Sequence, residues 1–241
     1  MKDIPYNEII PLEWDSQFFG YKIAQVTFNQ FGKEALERIF SILETSNFRL
    51  TYLMVPPSES ELNARIIKAG GILADTKTIY SKVTQAHSGF QTQIEEYHES
   101  VPGKKLIELG LQAGAYSRFR IDKNFVNNEF ERLYTRWIIN SVNKKMALMT
   151  IVALLENEIV GMITINGKKK CAEIGLVAVD KNFEGKGIGS DLIGFSDNIA
   201  FHMNFKEIKV TTQQQNARAC RLYEKCNFTI EHITNVYHFW Q

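Results

Sequence analysis

The sequence predicts a mixed α/β protein, and three observations carry that prediction. Segments of alternating apolar and polar residues, rich in β-branched and aromatic side chains, take turns with segments whose apolar residues recur every three to four positions. Near the middle of the chain, two strand-like runs are separated only by Glu156-Asn157-Glu158, which reads as a tight turn. Finally, FEGKGIGSDL, from Phe183 to Leu192, sets three glycines among five positions between an apolar strand and a helix.

The first block covers residues 1–84 and reads as a small α/β domain. Tyr21 to Phe28 (YKIAQVTF) alternates as a strand does, and Lys33 to Glu44 carries Leu36, Ile39, Phe40 and Leu43 at helical spacing. Leu50 to Val55 (LTYLMV) is a compact strand ended by Pro56-Pro57. Ser58 or Ser60 is expected to cap a helix that stops at Gly70-Gly71, and Ile79 to Val83 closes the block. Residues 84–93 (TQAHSGFQTQ) are polar and aperiodic. The sequence therefore places a linker at 85–93 and a second domain at 94–241.

The second block opens with a short strand near Ile94 to His98 and a helix from Lys104 to Gly114. A loop, AYSRFRIDKNF, leads to a helix whose stripe is Phe130, Leu133, Tyr134, Trp137 and Ile138. Strands at Ala147–Leu155, Ile159–Asn166 and Ala172–Val179 run into the glycine stretch. A helix (Ser190–Met203), a strand (Lys206–Thr212), a helix (Asn216–Lys225) and an extended segment (Phe228–Trp240) finish the chain.

Bulk properties exclude several function classes. With 44% hydrophobic and 23% charged residues the chain reads as an ordinary globular protein. A net charge of +1 argues against binding that neutralises many phosphates of a nucleic acid. Three cysteines without a CxxC pair (Cys171, Cys220, Cys226) predict neither a metal site nor a disulfide framework. No apolar run reaches eighteen residues and the first twenty lack an apolar leader core, so a cytoplasmic location without a membrane span is expected.

A strand, Gly185-Lys-Gly-Ile-Gly189 and a helix make an anion-binding arrangement: glycines let the backbone approach a phosphate, and amides at the helix start point toward it. The stretch is not a P-loop, because no Lys-Ser/Thr pair follows the last glycine, and its GxGxG spacing is not GxGxxG. About thirty residues on stands NARACRLYEKCNF, from Asn216 to Phe228. The two motifs together resemble the signature of the GNAT superfamily of N-acetyltransferases, over about Ile94 to Gln241 and most sharply from Glu173 to Phe228.

That resemblance implies a core with a mixed, mainly antiparallel sheet flanked by helices, and acetyl-CoA as acetyl donor. The pyrophosphate would rest on amides of Gly185, Lys186, Gly187, Ile188, Gly189 and Ser190, and the pantetheine arm along Leu176, Val177, Ala178 and Val179. Asn216 would hold the pantetheine or stabilise its loop, with Ala219 beside the donor and Tyr223 as the acid for the leaving thiolate. The amide of Val177 or Val179 would polarise the carbonyl. Cys220 and Cys226 read as buried packing residues rather than nucleophiles. The general base stays open among Glu173, Glu96, His98, His238 and a water relay. Two positions depart from the family pattern: Glu184 stands where Gln or Arg is usual, and Asn227 where glycine is usual.

A narrower likeness concerns the acceptor. LEWDSQFFGYKI, with Trp14, Asp15, Phe18 and Phe19, and QAGAYSRFRIDKNF, from Gln112 to Phe125, are similar to dTDP-fucosamine acetyltransferases of bacterial surface-polysaccharide synthesis. The acceptor implied is dTDP-4-amino-4,6-dideoxygalactose. Arg118, Arg120 and Lys123 would meet its diphosphate, and Tyr116, Phe119 or Phe125 its thymine. Acetylation of a protein amine, polyamine or other small amine, and non-catalytic acyl-CoA binding, remain alternatives. Exposed edge strands could also pair two copies of the chain.

The two blocks share a pattern. LTYLMV, ESELNARIIKAGGI and a strand ending in Tyr80 echo the later KVTT, NARACRLYEKCNF and a strand ending in Tyr237. Aligned through Gly71-Ile72 and Asn227-Phe228, Ile67 falls where Tyr223 stands. The first block then reads as a degenerate half-repeat with neither glycine cradle nor proton donor.

Overall fold

The computed structural model describes residues 9–28 and 33–241. Residues 1–8, part of the N-terminal stretch read above, lie outside it. The described chain forms two compact units, one of 1–77 with 233–241 and one of 78–232. The division falls after Lys77, residues 233–241 of the last strand belong to the first unit, and residues 85–93 belong to the second.

In the first unit, β1 (Ile9–Pro11) and α1 (Glu13–Phe19) precede β2 (Ile23–Thr27), α2 (Lys33–Thr45), β3 (Leu50–Val55) and α3 (Ser60–Lys68). The sheet order is β1-β2-β3-β10, where β10 (Thr229–Trp240) supplies its last residues to this unit. β2 and β3 are parallel (Ile23 opposite Leu50), whereas β10 runs antiparallel to β3, with Asn235 opposite Val55. Val26, Phe28, Leu36, Ile39, Leu43, Leu53, Leu62 and Ile66 form the core, so the helical and strand periodicities do converge on one interior. Glu59, not Ser58 or Ser60, occupies the N-cap of α3 and makes no side-chain cap. Instead, Asn63 Nδ2 donates to the carbonyls of Pro56 and Glu59 (3.0 and 2.7 Å), which occupies that turn's acceptors from inside the helix.

α1 and β1 were not legible as elements. Ser16 holds α1 in place: its Oγ donates to Leu12 O (2.7 Å) and accepts from Ile23 N–H (2.8 Å), and Gly20 (φ +83°) ends the helix. The aromatics of LEWDSQFFGYKI pack within this unit, Trp14 stacking on Phe18 (5.2 Å between ring centres) and Phe18 meeting Phe19 edge-on.

The second unit takes up β4 (Ile72–Val83) from Thr78 onward, then β5 (Gln93–Glu96), α4 (Lys104–Ala113), α5 (Arg118–Ile121) and α6 (Glu129–Val142). β6 (Met149–Leu155), β7 (Glu158–Lys168), β8 (Cys171–Val179), α7 (Ile188–His202), β9 (Glu207–Gln213) and α8 (Ala217–Lys225) follow. Its strands lie in the order β4-β9-β8-β7-β6-β5, antiparallel from β5 through β8 and parallel between β8 and β9. The fold is a mixed α/β sheet flanked by helices, as expected. The β6–β7 turn has Glu156 and Asn157 both at positive φ (51° and 65°), the primed geometry that suits strand twist.

The polar segment expected as a linker runs along α7. Gln85 N–H donates to Asp197 Oδ1 (3.2 Å), His87 N–H to Asn198 Oδ1 (3.0 Å), and both Thr92 N–H and Thr92 Oγ1 to Asp191 Oδ2 (3.0 and 2.6 Å). Backbone amides without a strand partner thus find side-chain acceptors on a helix, which composition alone does not reveal.

The two strand–helix–strand stretches match in length as well as order. α3 and α8 have nine residues each, β4 and β10 twelve each, and the later helix and strand begin 157 residues after the earlier ones. At that spacing Gly70 (φ +96°) corresponds to Asn227 (φ +64°) and Tyr80 to Tyr237. Tyr223 then corresponds to buried Ile66 rather than to Ile67, which is 55% exposed; the register read from sequence was off by one.

Candidate active site

β8 and β9 begin as a parallel pair, with Cys171 opposite Glu207, and the pairing stops at Ile174 opposite Val210. Both strands continue, β8 to Val179 and β9 to Gln213. Past Ile174, no strand among the described residues pairs with the β9-facing edge of β8. Against β7 the same stretch is bulged: Ile165 faces Ile174 and Ile163 faces Val177, so Thr164 faces both Gly175 and Leu176. Thr164 Oγ1 accepts from Leu176 N–H (2.9 Å), and a Cβ on Gly175 would lie 2.8 Å from that oxygen. A glycine is needed there so that the hydroxyl can hold the bulge. The slot beside Val177 and Val179 follows from it.

The slot ends at the glycine stretch. Asp180 caps a 3₁₀ turn (Lys181–Phe183) through Asn182 N–H (2.8 Å) and pairs with Lys105 of α4, which holds its carboxyl below the usual range. Gly185 and Gly187 sit at φ +78° and +84° with no heavy atom near the Cβ a side chain would add. Backbone conformation, not crowding, therefore demands glycine at both. Gly189 differs: a Cβ there would lie 3.2 Å from Leu222, so it lets α7 pack against α8. Gly187 is the N-cap of α7 and makes no side-chain cap, and the first intrahelical bond is Asp191 N–H to Gly187 O (3.0 Å). The amides of Ile188, Gly189 and Ser190 thus precede any helical partner, at the positive end of a 15-residue helix. These residues fit a diphosphate. Gly187→Ala is expected to cost about 1 kcal/mol of stability through left-handed strain, read by denaturant unfolding, and to weaken binding of a diphosphate ligand at the same loop, read by calorimetry.

α8 supplies the remaining predicted residues. Asn216 is its N-cap, Oδ1 accepting from Ala219 N–H (3.2 Å), which is the loop-stabilising of the two roles considered. Tyr223 is 2% exposed, with Tyr80 and Phe228 at 5.7 and 6.0 Å between ring centres. Burial pushes its hydroxyl well above the ordinary tyrosine value, so Tyr223 is held as a protonated acid. Burial also pushes the Cys226 thiol up, the direction opposite to a nucleophile's. Glu184, the departure in the cradle, turns its carboxylate to Arg218 in the first turn of α8. Nothing in the sequence paired those two residues, which are 34 positions apart.

The loop read as acceptor-binding folds onto α6. Phe119 is 6% exposed, packed on Phe125 (5.4 Å) and Trp137 (6.4 Å), and so anchors the loop rather than offering a face. Tyr116 is exposed, Arg118 lies over the Phe119 ring (4.8 Å) and Arg120 over that of Phe130 (5.3 Å). Gly114 permits this packing, because a Cβ would meet the Tyr134 ring at 2.4 Å. Gln112 Nε2 donates to Val179 O, tying α4 to the end of β8. Among the base candidates, Glu96 is paired with Lys144 (3.0 Å), Glu173 and His98 are exposed, and His238 is buried in the first unit beside Tyr52. No grouping of three or more metal-ligating side chains occurs among the described residues, and none of their helices is long and apolar enough to cross a membrane.

Residues 114–228 match the model described as the Acetyltransferase (GNAT) family. The chain is 28% identical over 135 residues to a spore coat polysaccharide biosynthesis protein, SpsD, of Bacillus subtilis (strain 168), covering 56% of this chain and 46% of that protein. It is 35% identical over 79 residues to a streptothricin acetyltransferase of Escherichia coli, covering 32% of this chain and 45% of that protein. The chain thus spans about half the length of the curated relatives it matches. Among solved structures, a functionally unknown conserved protein from Staphylococcus epidermidis aligns with all of this chain and 93% of its own (TM-score 0.67, 13% identity). A GCN5-related N-acetyltransferase from Sphaerobacter thermophilus aligns with 90% of this chain and 73% of its own (TM-score 0.56, 15% identity). The structural likenesses establish the fold.

Proposed function

We propose that this chain, with its GNAT match over residues 114–228, is an acetyl-CoA-dependent N-acetyltransferase whose acceptor is a nucleotide-linked amino sugar, dTDP-4-amino-4,6-dideoxygalactose in the first instance. One observation carries the reading: the unpaired edge of β8 past Ile174 leads directly into the free amides of the glycine cradle. An extended arm bearing a diphosphate fits that run of donors and acceptors better than any other common ligand shape.

When bound, acetyl-CoA supplies an acetyl group activated as a thioester. The chain's part is to hold and to protonate. The Ile188, Gly189 and Ser190 amides receive the diphosphate, and Val177 and Val179 align the arm by backbone hydrogen bonds. The N–H of Val177 or Val179 is placed to polarise the carbonyl. Tyr223 keeps a proton available for the departing sulfur. Direct transfer, with no acyl group on the protein, accords with the raised pKa of the Cys226 thiol.

On the acceptor side, Tyr116, Arg118 and Arg120 are the proposed contacts, with Phe119 positioning them. The SpsD likeness favours a polysaccharide precursor, and the streptothricin acetyltransferase likeness favours amine acetylation more generally. Purified protein with acetyl-CoA and the dTDP-amino sugar is expected to release thiol at a rate set by the sugar nucleotide. Spermidine and streptothricin serve as competing acceptors in parallel. Faster release with either one than with the sugar nucleotide would discard the sugar assignment and keep the acetyltransferase.

A further inference from the structure

The glycine cradle has an acidic side chain at its lip. Glu184 immediately precedes Gly185, the first glycine of the loop, so a diphosphate resting on the loop amides would have a carboxylate one residue away in the chain. Its carboxylate accepts from Arg218 Nη1, a side chain that projects from the second residue of α8. The Arg218 side chain is 71% exposed and that of Glu184 28% exposed, so the pair sits at the mouth of the site and not in its core. Lys186, the other cation of the loop, lies with Nζ 5.1 Å from the Phe183 ring centre. The lip therefore carries two cations and one carboxylate, with the carboxylate claiming one cation in the ligand-free arrangement.

Resting on the acetyl-CoA reading above, we infer that Glu184 and Arg218 form a latch that exchanges partners: Glu184 positions Arg218 at the cradle, and the arriving diphosphate takes Arg218 from it. An exposed ion pair is weak and screened, so a ligand with two adjacent negative charges displaces the carboxylate easily. A guanidinium suits the task, since it can leave one planar anion and bond another through two N–H groups at once. Because Arg218 belongs to α8, the exchange also links the loop to the helix that carries Tyr223. The cation usually supplied before the first glycine is thus delivered from another element, which explains how an acidic residue is tolerated there.

The latch makes an asymmetric prediction that a merely structural ion pair does not. Calorimetric Kd values for CoA are measured with the full chain, with Glu184→Gln, Arg218→Gln and the double variant, each checked for an unchanged unfolding temperature. Arg218→Gln is expected to weaken CoA by about tenfold, the loss of one charge-assisted contact with an unmatched carboxylate left behind. Glu184→Gln is expected to tighten CoA by about threefold, and the double variant to return near the wild-type value. The rise of log Kd with log salt becomes shallower in Arg218→Gln. The same loss should appear with 3′-dephospho-CoA and with inorganic pyrophosphate, which places the contact at the diphosphate. If both single variants weaken CoA alike, the pair only braces the loop and the latch is wrong. A loss seen with CoA and absent with 3′-dephospho-CoA overturns the diphosphate assignment. Wild-type protein that binds pyrophosphate with these signs but not CoA leaves the latch standing and sinks the acetyl-CoA reading.

Discussion

Replacing Tyr223 by phenylalanine is expected to lower kcat for acetyl transfer by about two orders of magnitude while leaving the Kd for CoA unchanged, because a positioned acid contributes about two to four decades. The substitution keeps the ring, and with it the packing on Tyr80 and Phe228, so a loss of rate reports the hydroxyl alone. Burial holds that hydroxyl above the ordinary tyrosine value of 10.0. Raising pH removes the proton from an acid only as its own pKa is approached, and here that lies higher than usual. The wild-type rate should accordingly show no alkaline decline from this group up to about pH 10. Steady-state kinetics with thiol detection across that pH range reads both effects. A fall below threefold in kcat would remove Tyr223 from the role, whereas an alkaline limb near pH 8 lost in the variant would keep the role and overturn the raised pKa.

The parts of the site legible in the sequence are those written as backbone requirements or local patterns. Gly185 and Gly187 could be singled out because left-handed geometry at a strand–helix junction needs glycine, and both adopt it. Tyr223 could be picked because its motif is continuous along one helix. Glu184 could be flagged as out of place, but its partner could not be named, since Arg218 reaches it from another element. The same holds for Phe119: an aromatic in a basic loop reads as a ligand platform until α6 is seen to cover it. Residues 85–93 were read as a linker because nothing about polar residues without periodicity announces that α7 will present Asp191, Asp197 and Asn198 to their amides. The half-repeat, as we propose it, rests on particular coincidences: buried Ile66 at the Tyr223 position and Gly70 at the Asn227 position. It accounts for the kinship of the two strand–helix–strand stretches. Their register was misread because Gly70-Gly71 offers two equivalent glycines, and only φ tells which one turns the chain.

Lys82→Met is expected to produce the largest loss of stability among single substitutions in the second unit, about 3–5 kcal/mol, the range for stranding one member of a buried ion pair. Asp197 is fully buried on α7, and its Oδ2 accepts from Lys82 Nζ (2.8 Å) and lies 2.6 Å from His87 Nε2. Lys82 is itself 7% exposed, donates a further bond to Cys226 O (3.1 Å) and lies 5.2 Å from the Phe228 ring centre. Methionine fills the volume of the stem but leaves the buried carboxylate with only the Gln85 N–H and one histidine that is partly open to solvent. For a chain of this size the loss corresponds to a fall of about 10 °C in unfolding temperature. The cost lies in the uncompensated charge, not in the missing contact, so adding Asp197→Asn to Lys82→Met should recover more than half of it: the amide oxygen still accepts from Gln85 N–H and no charge is left buried. Calorimetric unfolding of the two single variants and the double separates these cases. Equal destabilisation in Lys82→Met and the double would mean that packing around Phe228, rather than the charge, is what Lys82 maintains. The Lys82→Met protein, assayed well below its transition, should keep its kcat. The cluster braces residues 82–87 against the flank of α7, whereas the cradle amides lie at the helix start and Tyr223 on α8.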